Sequence, residues 1–136
     1  MGIDTVAVIG AGTMGAGIAQ VCAQAGWKTN LFDAFPEGLE RGMNAIDAFW
    51  DKGIARGKTT PEQKAEWSSN LHAVSQMDEA VADADLVILA VPVGAVGKIA
   101  EQIMPNMKSG AVLTDTGSTK RSVVRDVVPY LRDDII

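Results

Sequence analysis

Three glycines, Gly10, Gly12 and Gly15, stand directly behind the apolar run Val6-Ala7-Val8-Ile9 and directly ahead of a segment with helical spacing. G-x-G-x-x-G spacing in that setting is the most restrictive feature of the chain, because it predicts a strand, a tight turn and a helix in fixed order. Each glycine has its own reason. Gly10 allows the turn out of the strand, Gly12 leaves no Cβ where a pyrophosphate must approach the backbone, and Gly15 lets the helix pack closely on the strand. The helix N-terminus adds free N–H groups and the positive end of a dipole. Gly10, Ala11, Gly12, Thr13, Met14 and Gly15 are therefore candidate phosphate-binding residues.

About 20 residues further on, the spacing such a fingerprint requires, Leu31-Phe32-Asp33 closes a second strand over residues 28–33. Asp33 at its carboxyl end can accept hydrogen bonds from both hydroxyls of an adenosine ribose, whereas a 2′-phosphate would meet a like charge. Ala34, Phe35 and Pro36 follow, with no arginine, so the expected cofactor is NAD and not NADP. A flavin is disfavoured, since flavin-binding folds of this kind usually carry Glu in place of Asp33.

The remainder alternates helix and strand. The first helix shows Met14, Ile18, Val21, Cys22 and Ala25 on one face, which predicts that face to be buried, with Cys22 a small core residue and Gly26 the stop. Residues 36–56 carry Leu39, Met43, Ile46, Phe49, Trp50 and Ile54 at helical spacing. Thr60, Pro61 and Gln63 then spell N-cap, first helical position and capping box of a second helix, so residues 36–67 form a helical hairpin. Lys52, Arg56, Lys58 and Lys64 lie in or beside its turn, where they either meet phosphates or keep the hairpin solvated. A third strand over residues 70–75 holds His72, the one histidine; it has no partners at metal-ligand spacing and sits far from the expected site. A short helix from Met77, a buried strand over residues 85–91 ending at Pro92, a helix with Val96, Ile99, Ala100, Ile103 and Met104, and a strand over residues 111–116 follow. Val123, Val124, Val127, Val128 and Leu131 mark a last helix, and residues 133–136 begin a sixth strand. The expected architecture is α/β: a doubly wound parallel sheet of Rossmann type, strand order 3-2-1-4-5-6, with a helical hairpin after the second strand. Ligands of such sheets lie outside the carboxyl ends of the strands, which brings the glycine turn, Asp33, Val91, Pro92, Val93 and residues 116–118 to one edge.

Bulk properties narrow the partners. A net charge of −5 argues against nucleic acid or an anionic membrane. The apolar window at residues 86–97 is too short to span a bilayer, and Val6 occupies the position where a myristoylation signal needs Ser or Thr. One cysteine excludes an internal disulfide and suits a reducing, cytoplasmic setting. At 136 residues the chain reads as one dinucleotide-binding domain, small for a complete two-substrate enzyme.

The run Val6-Ala7-Val8-Ile9-Gly10-Ala11-Gly12-Thr13-Met14-Gly15-Ala16-Gly17-Ile18-Ala19-Gln20, with Asp33, the hairpin and Gly57-Lys58-Thr59-Thr60-Pro61-Glu62, closely resembles the NAD-binding domain of 3-hydroxyacyl-CoA dehydrogenases over about residues 3–91. From Ala90 onward, Ala90-Val91-Pro92-Val93-Gly94 and Thr114-Asp115-Thr116-Gly117-Ser118-Thr119-Lys120 resemble prephenate and arogenate dehydrogenases. The acidic residue after the fourth strand and the Asn-Thr-Ser-Ser run after the fifth, usual in the hydroxyacyl-CoA enzymes, are missing. Both resemblances imply hydride transfer from a hydroxyl-bearing carbon to NAD, with a CoA thioester or a prephenate-like molecule as substrate. They place Ser118 near the substrate hydroxyl, although Ser118 also suits the N-cap of the last helix. In both families the catalytic histidine and the substrate domain follow the point this chain reaches, so little or no turnover is expected of residues 1–136 alone. An apolar edge meant for that second domain favours self-association as a homodimer. A stand-alone module that senses NAD is the reading from another class.

Overall fold

The computed structural model of the chain describes residues 3–116. Five parallel strands form one sheet in the order β3-β2-β1-β4-β5: β1 is Thr5–Ile9, β2 Lys28–Phe32, β3 Leu71–Ala73, β4 Leu86–Leu89 and β5 Val112–Asp115. The fold is the α/β, doubly wound sheet expected, with the strand order as anticipated over these five. The last helix and the sixth strand of the expected order fall outside the described residues.

Strand alternation divides the core in two. Ala7 and Ile9 of β1 point to one face, where Val87 and Leu89 join them under α4 (Met77–Ala82), α5 (Val93–Ile103) and the 3-10 turn Met104–Asn106. Val6 and Val8 point to the other, where Leu31, Ile46 and Trp50 pack with α1 (Thr13–Gln24) and α2 (Pro36–Ala55). β1 lies in the middle, paired with β2 from Thr5↔Lys28 to Ile9↔Phe32 and with β4 from Val6↔Leu86 to Ile9↔Leu89. Central parallel strands are covered on both faces, which explains the unbroken apolar run of β1.

The hairpin closes as its sequence specifies. Helix α3 (Pro61–Asn70) starts at Thr60, whose Oγ1 accepts from the Gln63 N–H at 3.1 Å while Gln63 Oε1 accepts from the Thr60 N–H at 2.9 Å. Trp50 and Trp67 meet across the hairpin with centroids 5.8 Å apart, and the Trp50 indole N–H donates to Gln24 Oε1 at 3.0 Å. Lys64 is held by Asp51 at 2.7 Å and Asp47 at 2.9 Å, and these two carboxylates raise its pKa.

Expectations of burial fail on two helices. The stripe Met14, Val21 and Ala25 on α1 is exposed, Met14 by 60% and Val21 by 63%, and the buried face is Gly15, Ala16, Ala19, Cys22 and Ala23. A helix that must lie close to the strand it follows buries its smallest residues, and the larger apolar side chains are left outside. Phe49, expected inside on α2, is likewise 58% exposed, while Ile46 and Trp50 are buried as anticipated. Cys22 is buried, and burial pushes its thiol pKa up.

Asp85 ties the far end of the sheet together. Its Oδ2 accepts from the N–H groups of Asp4 (2.9 Å) and Thr5 (3.0 Å), and its Oδ1 pairs with Lys108. Lys108 first, and then the two backbone N–H groups, hold its carboxyl down to about 2 from the usual 3.8. The folded state therefore gains from the charged form above about pH 4, and that gain is lost as the pH falls through 2. With solvent screening of the exposed Lys108 allowed for, Asp85→Asn should cost about 1 kcal/mol at pH 7. In urea unfolding the gap between the two proteins should narrow as the pH falls from 4 toward 2 and close only below it; a gap independent of pH would assign the effect to shape and not to charge.

Candidate functional site

The carboxyl ends of β1, β2 and β4 are stitched to one another where the glycine loop begins. The Gly10 N–H donates to the Phe32 carbonyl at 2.7 Å, and the Ala90 N–H donates to the Ile9 carbonyl at 2.8 Å. Gly10 has φ +110°, a conformation that side chains disfavour, and a Cβ there would overlap the Ala90 carbonyl. Gly15 lies beneath it: a Cβ on Gly15 would overlap the Gly10 carbonyl oxygen and stand 2.8 Å from its carbon. Around Gly12 the situation is reversed, with nothing within 4 Å of the place its Cβ would take. Two glycines of the triplet thus serve packing and the third keeps space open.

Gly12 is the N-cap of α1, and its carbonyl accepts from the Ala16 N–H at 2.8 Å. No side chain caps this helix and no acidic residue stands in its first turn. Its N-terminal N–H groups and positive dipole end therefore face the open space uncompensated, an arrangement that attracts an anion. Asp33 follows the end of β2 and is half-buried. Its Oδ2 accepts from the Ala11 N–H at 2.8 Å and its Oδ1 from the Phe35 N–H at 2.9 Å. The carboxylate thus holds the loop and its own turn in place, and each oxygen retains a lone pair for a ligand hydroxyl.

A cavity of about 660 Å³ opens along this edge, a size that suits a small-molecule ligand. Gly10, Gly12, Asp33, Val91 and Pro92 all line it, with Phe35, Met77, Ile99 and Gln102 among the residues around them. Ala11 and Thr13 line a smaller cavity, about 250 Å³, that shares Gly12. Met14 lines neither and points outward. Val93 is the first residue of α5, at the same edge. The Thr116 N–H donates to the Leu89 carbonyl at 3.2 Å, which brings the end of β5 there too, whereas Ser118 lies outside the described residues. His72 is exposed on β3, at the opposite margin of the sheet from β4. Lys52, Arg56, Lys58 and Lys64 line neither cavity.

Two residues of α2 are added by the structure. A Cβ on Gly42 would lie 2.7 Å from the Ala11 carbonyl oxygen, so this glycine sets how closely α2 approaches the loop, and Arg41 beside it lines the smaller cavity. Gly38 and Gly42 form a G-x-x-x-G pair in the sequence, a readable sign of close helix packing; an exposed arginine leaves no such sign.

Comparison with known proteins agrees with this geometry. The family model described as 3-hydroxyacyl-CoA dehydrogenase, NAD binding domain, matches residues 5–126. A 3-hydroxyadipyl-CoA dehydrogenase of Escherichia coli K12 is 44% identical over 88 residues, covering 65% of this chain and 18% of that protein. A probable 3-hydroxyacyl-CoA dehydrogenase of Caenorhabditis elegans is 33% identical over 137 residues, covering 96% of this chain and 45% of the relative. Among solved structures, the (S)-3-hydroxybutyryl-CoA dehydrogenase of Ralstonia eutropha superposes with a TM-score of 0.85 at 27% identity, over 99% of this chain and 48% of that one. The chain therefore spans less than half the length of these relatives. A prephenate dehydrogenase of A. aeolicus is similar in fold alone, with a TM-score of 0.65 at 21% identity. The resemblance of the C-terminal stretch to prephenate and arogenate dehydrogenases is not confirmed by these matches, and the alternative of a prephenate or arogenate dehydrogenase cofactor domain is not favoured. By its matched family and its glycine loop, the chain belongs to the 3-hydroxyacyl-CoA dehydrogenase family as an NAD-binding domain.

Proposed function

We propose that residues 1–136 are the cofactor domain of an enzyme that moves a hydride between NAD and the hydroxyl-bearing carbon of a 3-hydroxyacyl-CoA thioester. The observation that carries this reading is the placement of Gly12 and Asp33 on one cavity, with open space at the first and a carboxylate fixed by two backbone N–H groups at the second. In the uncapped turn of Gly10, Ala11, Gly12, Thr13, Met14 and Gly15, the first two N–H groups are taken by the Phe32 carbonyl and Asp33 and set the shape of the loop, and the backbone N–H groups from Gly12 to Gly15 bind the pyrophosphate; Asp33 accepts from the adenosine ribose; Val91, Pro92 and Val93 border the nicotinamide end. NAD, when bound, supplies the hydride acceptor. What the chain supplies is position: Asp33 holds the ribose and the helix dipole the pyrophosphate, and the apolar residues that follow β4, Ala90, Val91 and Pro92, exclude water.

Ser118 orients the substrate hydroxyl in this reading. The one histidine of the chain, His72, stands across the sheet from the site, so proton removal falls to a base in a separate substrate domain and residues 1–136 alone turn over little. The lone buried Cys22 supports a reducing, cytoplasmic setting. Exposed Met14, Val21 and Phe49 support homodimer formation.

Calorimetric titration with NAD and, in parallel, NADP tests the assignment. Saturable binding of NAD with weaker NADP is the expected result; binding of neither would overturn it. Asp33→Ala should cost about 1–3 kcal/mol in NAD affinity and narrow the preference for NAD over NADP, since it removes both a ribose acceptor and a repulsive charge. Unchanged selectivity in that variant would remove Asp33 from the ribose site.

A further inference from the structure

Arg41 projects from α2 at a point the fold determines. The next residue, Gly42, is where α2 touches the glycine loop, with room for neither a Cβ against the Ala11 carbonyl nor one against the Ala11 Cβ, 2.9 Å away. Close contact at Gly42 brings residue 41 to the rim of the cavity it shares with Ala11, Gly12, Thr13 and Ala16. Gly12 also lines the larger cavity that holds Asp33, so the two cavities meet over the N-terminus of α1.

Its place at the cavity singles Arg41 out. Among the described residues Lys28, Lys64 and Lys108 pair with aspartates, while Arg41, like Lys52, Arg56, Lys58 and Lys98, has no carboxylate within ion-pair distance. Of the described residues lining the two cavities, Arg41 alone is basic. It faces a helix end that carries neither a capping side chain nor an acidic residue in its first turn. An unpaired guanidinium and an uncompensated helix dipole thus share one opening, and neither finds its counter-charge among the described residues.

On the reading that NAD binds at this edge, we propose that Arg41 contacts the cofactor pyrophosphate from the α2 side, across the turn at Gly12 and Thr13. The hairpin helix α2 is then part of the cofactor site as well as a crossover between strands. A guanidinium presents its N–H groups as a planar fork that fits two phosphate oxygens, which the backbone N–H groups of α1 approach from the other side. Because the side chain is exposed, little desolvation opposes the contact, and dissolved salt weakens it.

The test compares ligands with and without phosphate. Arg41→Ala should weaken NAD and ADP-ribose by about fivefold to tenfold at low ionic strength, with the thermal midpoint unchanged and the loss shrinking in about 0.5 M sodium chloride. Adenosine, followed by chemical-shift titration, should bind the parent and Arg41→Ala equally. Arg41→Lys should recover part of the NAD affinity, since it restores charge without the fork. Equal NAD affinity in parent and Arg41→Ala, an equal loss for adenosine, or a loss confined to NADP would each overturn the proposal. A parent chain that binds no NAD at all would instead overturn the cofactor assignment on which it rests.

Discussion

A Gly12→Val variant is expected to fold as the parent does and to lose NAD binding by at least about 100-fold, equivalent to about 2.7 kcal/mol. The two halves of that result have separate causes. Gly12 lies at φ −69° and ψ −172°, which a side chain adopts without strain, and nothing stands within 4 Å of its Cβ position. Valine is a poorer N-cap than glycine, so a stability loss of about 1 kcal/mol or less is the cost to folding. The isopropyl group then occupies the space at the N-terminus of α1 that the pyrophosphate needs, and it screens the N–H groups that would bind it. Thermal unfolding and calorimetry with NAD on the same sample read the two effects independently. A folded variant that binds NAD like the parent would show that the pyrophosphate does not cross Gly12, and the site would have to be redrawn.

How much of this was legible in the sequence depends on how local the physics is. The capping box at Thr60 and Gln63 and the left-handed Gly26 (φ +92°) that ends α1 are decided within a few residues of chain, and both were readable. The packing roles of Gly10 and Gly15 were readable for the same reason, since each follows from its step along one strand, turn and helix. The buried face of α1 was not. Periodicity weights Met14 and Val21 as apolar, but the contact between Gly15 and the Gly10 carbonyl draws the helix so close that small residues fill the interface. Asp85 shows the limit from the polar side: its partners, the backbone of Asp4 and Thr5 and the side chain of Lys108, come together only when β1, β4 and the turn before β5 are assembled. Arg41 belongs with it, because its position at the loop depends on Gly42 meeting Ala11 across the fold.

Two glycines of α1, two residues apart, should respond to the same substitution with opposite signs. Gly17→Ala places its methyl where nothing lies within 4 Å, in the body of a helix, and should stabilise the chain by about 0.5–1 kcal/mol by removing backbone freedom from the unfolded state. Gly15→Ala places the same methyl on the Gly10 carbonyl, 2.8 Å from its carbon and 3.2 Å from the Ala90 Cβ. These are backbone and core atoms with no free rotation to relieve the overlap. The loop at Gly10 is fixed from both sides by the Phe32 carbonyl and the Ala90 main chain, so α1 must lift away from β1 for the methyl to enter. Overpacking of that kind costs about 3 kcal/mol or more, a large share of the 5–15 kcal/mol that holds a domain of this size together. Urea unfolding of the parent and both variants measures the difference directly. If Gly15→Ala were no less stable than Gly17→Ala, close packing of helix on strand would not be the reason for the third glycine. NAD affinity gives the second readout: in whatever fraction of Gly15→Ala folds, the displaced N-terminus of α1 should bind NAD more weakly, whereas Gly17→Ala should bind it as the parent does.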